Sequence, residues 1–184
     1  MSTDLRLRAR VARACLVRGP VTLRSGETSD VYVDKWKIIT DPLLFGQITN
    51  DLFGEIPAPC SLVAGPELGG AVVATAIAAQ TAMPFLVVRR ASKQYGTSRR
   101  IEGIYEPGEV VCLIEDVLTT GRTALDAALA LRAAGLVVDT CVAVVDRQAG
   151  ATELLAAHGV TVRALWTLDD LLAADDDAAR AREP

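Results

Sequence analysis

Two adjacent carboxylates, Glu115 and Asp116, stand just ahead of a turn rich in donors, Thr119-Thr120-Gly121-Arg122-Thr123. Glycine lets a ligand approach the backbone closely, and threonine hydroxyls add donors, which suits a phosphate monoester. Two acids beside such a cradle would repel the phosphate itself. They are therefore expected to face another part of the ligand, such as sugar hydroxyls or a magnesium ion. The stretch reads as a sugar-phosphate site, with an ordinary acidic strand-turn-helix as the plain alternative. Neither GxGxxG nor GxxxxGK[ST] occurs, so it is not a dinucleotide fingerprint or a Walker loop.

Two further groups could act on the same ligand. The segment from Arg89 to Pro107, RRASKQYGTSRRIEGIYEP, is basic, lacks hydrophobic periodicity and is long for a connection inside a compact domain. Arginine forks and a lysine point charge suit a pyrophosphate leaving group. A solvated basic hairpin explains the same composition, and both readings stand at this stage. Gly65-Pro66-Glu67-Leu68-Gly69-Gly70 follows a short apolar run and precedes a helical one. Its glycines serve either close approach to a ligand or tight packing at a strand-helix turn.

These groups need elements to hold them. Val110 to Ile114 is a continuous apolar, β-branched run, as in a strand buried on both faces of a parallel sheet. It places Glu115 and Asp116 at the strand's carboxyl end, where open α/β sheets bind ligands and helix N-termini face anions. A helix from about Ala124, closed by Gly135, follows. Ser61–Ala64, Pro84–Val88, Val137–Val145 and Val160–Trp166 read as further strands, separated by helical stretches such as Ala71–Thr81. The alternation predicts an α/β fold, a central parallel sheet flanked by helices. Upstream, Asp4–Arg18 reads as an amphipathic helix stopped by Gly19-Pro20, followed by two short strands around residues Ser25 to Ser29. Asp41 and Pro42 open a helix to about Phe53.

At 184 residues the chain has the length of one domain, and 51% of it is hydrophobic. No apolar run is long enough to cross a bilayer, and the first residues are charged, so a cytoplasmic protein without a membrane partner is expected. The net charge of -4 argues against a general nucleic-acid surface, while the cluster between Arg89 and Arg100 fits a small anion. Cys15, Cys60, Cys112 and Cys141 are far apart and read as buried free thiols. His158, at a helix end, reads as structural.

IEDVLTTGRT is similar to the phosphoribosyl pyrophosphate motif of type I phosphoribosyltransferases. RRASKQYGTSRRIEG resembles the flexible catalytic loop of the orotate phosphoribosyltransferases, TLRSGETSDVYVDK their N-terminal hood, and VVDRQAGA their Asp-Arg-Gln segment; together the matches run from about Thr22 to Ala151. The resemblance implies one phosphoribosyltransferase domain over 1–184, with a hood to about 40, a loop over about 89–107 and a loose tail over about 173–184.

By the same resemblance, Arg89, Arg90, Lys93 and Tyr95 contact the diphosphate, some of them in the partner of a homodimer. Glu115 and Asp116 hold the ribose hydroxyls, and Val117, Leu118, Thr119, Thr120, Gly121, Arg122 and Thr123 wrap the 5-phosphate. Thr119 and Arg147 hold orotate, with Arg24 and Ser25 lining the hood side. Lys93 would stabilise the leaving group, with Mg2+ carried by the diphosphate near Glu115 and Asp116, and Asp116 would serve as a positioning residue first and as a base second. Three positions depart from the usual pattern. Arg24 stands where many members have lysine, Tyr95 where histidine is commoner, and Leu68-Gly69 where some carry Tyr-Lys, which removes one expected diphosphate cation. The implied reaction joins orotate to phosphoribosyl pyrophosphate. Transfer to another base such as a purine, and non-catalytic sensing of phosphoribosyl pyrophosphate, are the competing functions.

Overall fold

The computed structural model describes residues 5–22, 26, 28–90 and 99–180. The chain opens with helix α1 (Leu5–Cys15), followed by strands β1 (Leu16–Thr22) and β2 (Thr28–Val33), the short helix α2 (Trp36–Ile39) and helix α3 (Pro42–Gly54). Then come β3 (Leu62–Pro66), α4 (Gly69–Thr81), β4 (Phe85–Val88), β5 (Ile101–Glu102), β6 (Val110–Leu118) and α5 (Arg122–Ala133). The last elements are β7 (Val137–Asp146), α6 (Ala151–Ala156), β8 (Thr161–Thr167) and α7 (Leu168–Arg180).

A six-stranded sheet runs in the order β5-β4-β3-β6-β7-β8. Its strands are parallel except β5, which pairs antiparallel with β4. β1 and β2 form a separate antiparallel ribbon. The apolar run of β6 is continuous because each face meets a different core. Cys112 and Ile114 pack with Val73, Ile77, Ile48 and Trp166 on one side, while Val111 and Leu113 pack with Ala128, Leu131 and Leu155 on the other. Successive side chains point to opposite faces, so a strand covered on both sides has no polar positions.

Asp41 caps α3 through hydrogen bonds from the Leu43 and Leu44 amides, both 3.0 Å, with Pro42 in the first turn. That start matches the expectation from Asp41-Pro42. The four cysteines are buried free thiols, and burial pushes Cys15 up to about 12.

Several boundaries differ from the sequence reading. α1 ends at Cys15, and β1 begins at once and continues through Gly19 and Pro20, which were expected to stop a helix. The register between β1 and β2 shifts between Arg18 and Val21, so Gly19, at φ 113°, and Pro20 occupy an irregularity of a two-stranded ribbon, where both residues are tolerated. Thr28 and Ser29, expected in the turn, belong to β2. The basic segment after Arg89 is not wholly irregular, since Ile101–Glu102 adds an edge strand. The expected loose tail is helical to Arg180. Leu171 and Ala174 are buried in the core shared with α1, and Arg18 pairs with Asp175 at 3.0 Å and Asp176 at 2.5 Å.

Candidate active site

The acids lie inside β6 rather than beyond it, because the strand continues to Leu118 through its pairing with β7. Both are buried, Glu115 at 6% and Asp116 at 5% exposure. They line a cavity of about 140 Å³ with Lys35, Leu68, Gly69, Arg90 and the whole turn from Val117 to Thr123. The elements explain the convergence: β3 and β6 are parallel neighbours, so the turns that lead into α4 and α5 open at the same edge of the sheet. Two helix N-termini thus share the cavity with the acids, and each offers N–H groups without an intrahelical partner.

Glycine makes the close approaches. A Cβ on Gly65 would lie 2.1 Å from the Gly70 carbonyl oxygen, and one on Gly70 would lie 2.5 Å from that of Ile114. These two positions decide for tight packing of α4 on the sheet. Gly69 differs: a Cβ there would lie 1.5 Å from Asp116 Oδ2 and 3.0 Å from Lys35 Nζ. Its bare backbone leaves room for the acid and the cation. Gly121, at φ 73°, sits at the N-terminus of α5, and a Cβ would lie 3.0 Å from Ala151 Cα at the start of α6. Its conformation and packing on α6 both require glycine, in addition to the ligand approach expected of it.

Electrostatically the two acids are unequal. Burial, reinforced by the charge of Asp116, pushes the Glu115 carboxyl from 4.5 up to about 8, against the opposing pull of Lys35. Asp116 accepts a 2.6 Å hydrogen bond from the Val117 amide on Oδ1, and its Oδ2 lies 2.5 Å from Lys35 Nζ. Oδ2 has no aligned hydrogen bond among the described residues, so that contact is ionic. Lys35 is the site residue that motif reading misses. Its signal was the DVYVDK run ending the hood-like segment, but nothing in the run indicates that the lysine reaches β6.

Of the basic residues, Lys35, Arg90 and Arg122 line the cavity, while Arg89 and Arg147 lie outside its lining. Arg90 lines it, with its amide 3.4 Å from Glu67 Oε2 and Nε 3.3 Å from the Glu67 carbonyl. Arg89 is anchored through its amide to the Arg100 carbonyl at 2.8 Å, and its buried Nε has no hydrogen-bond partner among the described residues. Arg147 follows β7; its amide donates to Leu118 O at 2.9 Å, and Nη2 donates to Val31 O in β2 at 3.3 Å. Its Nε is likewise buried without a partner among the described residues. The structure thereby brings Arg147 between the end of the sheet and the hood ribbon. Thr119 is half-buried, while Thr120, Arg122 and Thr123 are exposed. Arg24, Ser25, Lys93 and Tyr95 lie outside the described residues. His158 is remote from these groups, its Nδ1 2.9 Å from Leu154 O at the end of α6.

Among the described residues, no group of three or more His, Cys, Asp or Glu could hold a metal ion. Glu115 and Asp116 nevertheless fit magnesium, which binds hard oxygens and commonly takes one or two carboxylates plus substrate phosphates. A larger hollow of about 750 Å³, lined by Ile101, Ile104, Tyr105 and Ala133 among others, shares no lining residue with the acidic cavity. No helix among the described residues is long and apolar enough to cross a membrane.

A parallel sheet with two acids and a Thr-Gly turn at the head of a helix defines a phosphoribosyl transferase domain, and that family matches residues 35–164. The chain is 45% identical over 154 residues to an orotate phosphoribosyltransferase of Methanocella arvoryzae, covering 84% of this chain and 88% of that one. The orotate phosphoribosyltransferase of Mycobacterium tuberculosis in complex with 5-phospho-alpha-D-ribosyl 1-diphosphate superposes with a TM-score of 0.74 at 33% identity, covering 91% and 97% of the two chains. UMP synthase of Leishmania donovani superposes with a TM-score of 0.83 at 27% identity, and covers 97% of this chain. This chain spans only 39% of that longer protein. The chain belongs to the orotate phosphoribosyltransferase family.

Proposed function

We propose that this protein transfers the phosphoribosyl group of phosphoribosyl pyrophosphate to orotate, giving orotidine 5'-phosphate and pyrophosphate in pyrimidine synthesis. The observation that carries this reading is the shared cavity: buried Glu115 and Asp116, the Thr119–Thr123 turn and Arg90 line one space of about 140 Å³. The turn at the head of α5 takes the 5-phosphate through backbone amides and threonine hydroxyls. The acids beside it take the ribose hydroxyls, so the sugar is held from two sides.

Orotate lies toward the hood. Arg147, held on Val31 of β2, has a guanidinium suited to a bidentate grip on a ring carboxylate, together with Thr119. Arg24 and Ser25 complete that side by resemblance. As the bond from ribose C1 to the pyrophosphate oxygen breaks and the bond to the orotate nitrogen forms, negative charge builds on the leaving group. Arg89, Arg90, Lys93 and Tyr95 meet that charge. Carried by the diphosphate near Glu115 and Asp116, Mg2+ would help neutralise the same charge. Asp116, already paired with Lys35, acts chiefly to position the ribose. The protein works as a cytoplasmic homodimer, with some of Arg89, Arg90, Lys93 and Tyr95 serving a partner's site.

The test is an ultraviolet assay of base consumption with phosphoribosyl pyrophosphate and Mg2+, with orotate beside adenine, guanine, hypoxanthine and uracil, on the wild type and Arg147→Ala. Orotate alone should be consumed. Loss of two charge-assisted hydrogen bonds should raise the orotate KM of Arg147→Ala by about a hundredfold. Consumption of a purine, insensitive to Arg147→Ala, would establish a different base. Binding of phosphoribosyl pyrophosphate with no base consumed would establish a sensor.

A further inference from the structure

Lys35 belongs to none of the sequence motifs that define the phosphate cradle, yet its ammonium lies at the centre of the acidic end of the cavity. Its backbone is firmly placed. The Asp34 amide donates to Cys15 O at 2.7 Å, the Lys35 amide donates to Val33 O at 3.1 Å, and the Lys35 carbonyl accepts from Ile38 and Ile39 at 3.1 and 2.9 Å. The turn between β2 and α2 is thereby tied to the end of α1, and it aims the side chain at β6. Nζ reaches Asp116 Oδ2 at 2.5 Å while the side chain keeps 30% of its exposure, so the cation is open to the cavity.

The loop from Glu67 to Gly69 faces the same point. Leu68 is 57% exposed and carries no charge, and Gly69 has no side chain. The space a side chain at position 69 would take is filled from the other direction: a Cβ there would lie 1.5 Å from Asp116 Oδ2 and 3.0 Å from Lys35 Nζ. Leu68 and Gly69 thus contribute no cation to the cavity, and the hood places one directly beside Gly69. An ammonium has three donors and no acceptor, so it can keep one contact with Asp116 and present the others to an anion.

We propose that Lys35 binds the diphosphate of phosphoribosyl pyrophosphate, a cation delivered from the hood to the mouth of the loop between β3 and α4, where Gly69 makes room for it. The inference rests on reading the cavity as a phosphoribosyl pyrophosphate site. Lys35 accordingly serves two states. Before substrate arrives it balances Asp116. With substrate bound it bridges the acid that holds the ribose and the anion that leaves, which keeps both ends of the sugar in register.

The test is titration calorimetry on the full chain with Mg2+, comparing phosphoribosyl pyrophosphate with ribose 5-phosphate, which shares the sugar and the 5-phosphate but lacks the diphosphate. Lys35→Met should weaken phosphoribosyl pyrophosphate by at least about tenfold, the size of one charge-assisted hydrogen bond, and ribose 5-phosphate by less than about twofold. Lys35→Arg, which keeps the charge, should recover most of the loss. Equal weakening of both ligands would place the effect on the ribose through Asp116 and overturn the assignment, as would unchanged binding of phosphoribosyl pyrophosphate. If Lys35→Met is unfolded by circular dichroism, Lys35→Gln and Lys35→Arg carry the comparison under the same criteria. Failure of the wild type to bind phosphoribosyl pyrophosphate is a different result, and overturns the reading of the cavity itself.

Discussion

Replacing Glu115 by glutamine keeps the side chain's size and removes its ionisation, and the effect on stability should depend steeply on pH. Burial and the neighbouring Asp116 push the Glu115 carboxyl from 4.5 to about 8. The folded protein therefore holds a proton between those values that the unfolded chain releases. More protons bound when folded means that stability falls as pH rises; the contribution is complete below pH 4.5 and is lost by the time pH has passed through about 8. One pKa unit is about 1.4 kcal/mol, so the shift corresponds to roughly 5 kcal/mol, a large part of the 5 to 15 kcal/mol that holds a typical domain together. Urea unfolding at a series of pH values from 5 to 9, without magnesium, measures this directly. The wild type should lose stability across that range, and Glu115→Gln should lose much less, so that the variant becomes the more stable protein at the alkaline end. Parallel curves for the two proteins would refute the claim that Glu115 is buried as a neutral acid.

Two other substitutions separate the site from the scaffold. Gly69→Ala places a Cβ on the Asp116 carboxylate, so Asp116 and Lys35 must move; kcat/KM for phosphoribosyl pyrophosphate should fall at least about tenfold while the melting temperature falls by only a few degrees, and wild-type kinetics would contradict the crowding argument. Asp41→Ala removes the acceptor for the Leu43 and Leu44 amides and should cost about 1 kcal/mol in denaturant unfolding while leaving both KM values unchanged; no loss of stability would show that water replaces the cap.

Much of this was legible in the chain because local pattern and tertiary role agree. β6 announces itself since both of its faces meet apolar layers, Cys112 and Ile114 on one side and Val111 and Leu113 on the other. Asp41-Pro42 marks the start of α3 because a cap acts within one turn. What escaped depends on contacts between distant residues. An acidic run at 175–177 reads as solvated tail, yet Arg18, 157 positions away from Asp175, holds it against the ribbon. Gly19-Pro20 reads as a helix stop, and only the pairing of β1 with β2 makes it part of a strand. Lys35 escaped for the same reason: its significance lies in Asp116, which no spacing rule connects to it.

The placement of Lys35 also answers the electrostatic difficulty raised by the sequence, that two carboxylates flank a cradle meant for phosphate. With its pKa pushed to about 8, Glu115 is mostly protonated at neutral pH, and the remaining charge on Asp116 is matched by the ammonium 2.5 Å away. The acidic end is then close to neutral before ligand arrives, and the amides at the heads of α4 and α5 present partial positive charge without opposition. Remove Lys35 and the balance tips negative at the mouth of the loop between β3 and α4, where the diphosphate must enter. Remove the Glu115 ionisation instead and little changes at neutral pH. The two acids of the motif are therefore unequal by construction: Asp116 is the charged member, held by the hood, and Glu115 is the neutral one, held by burial.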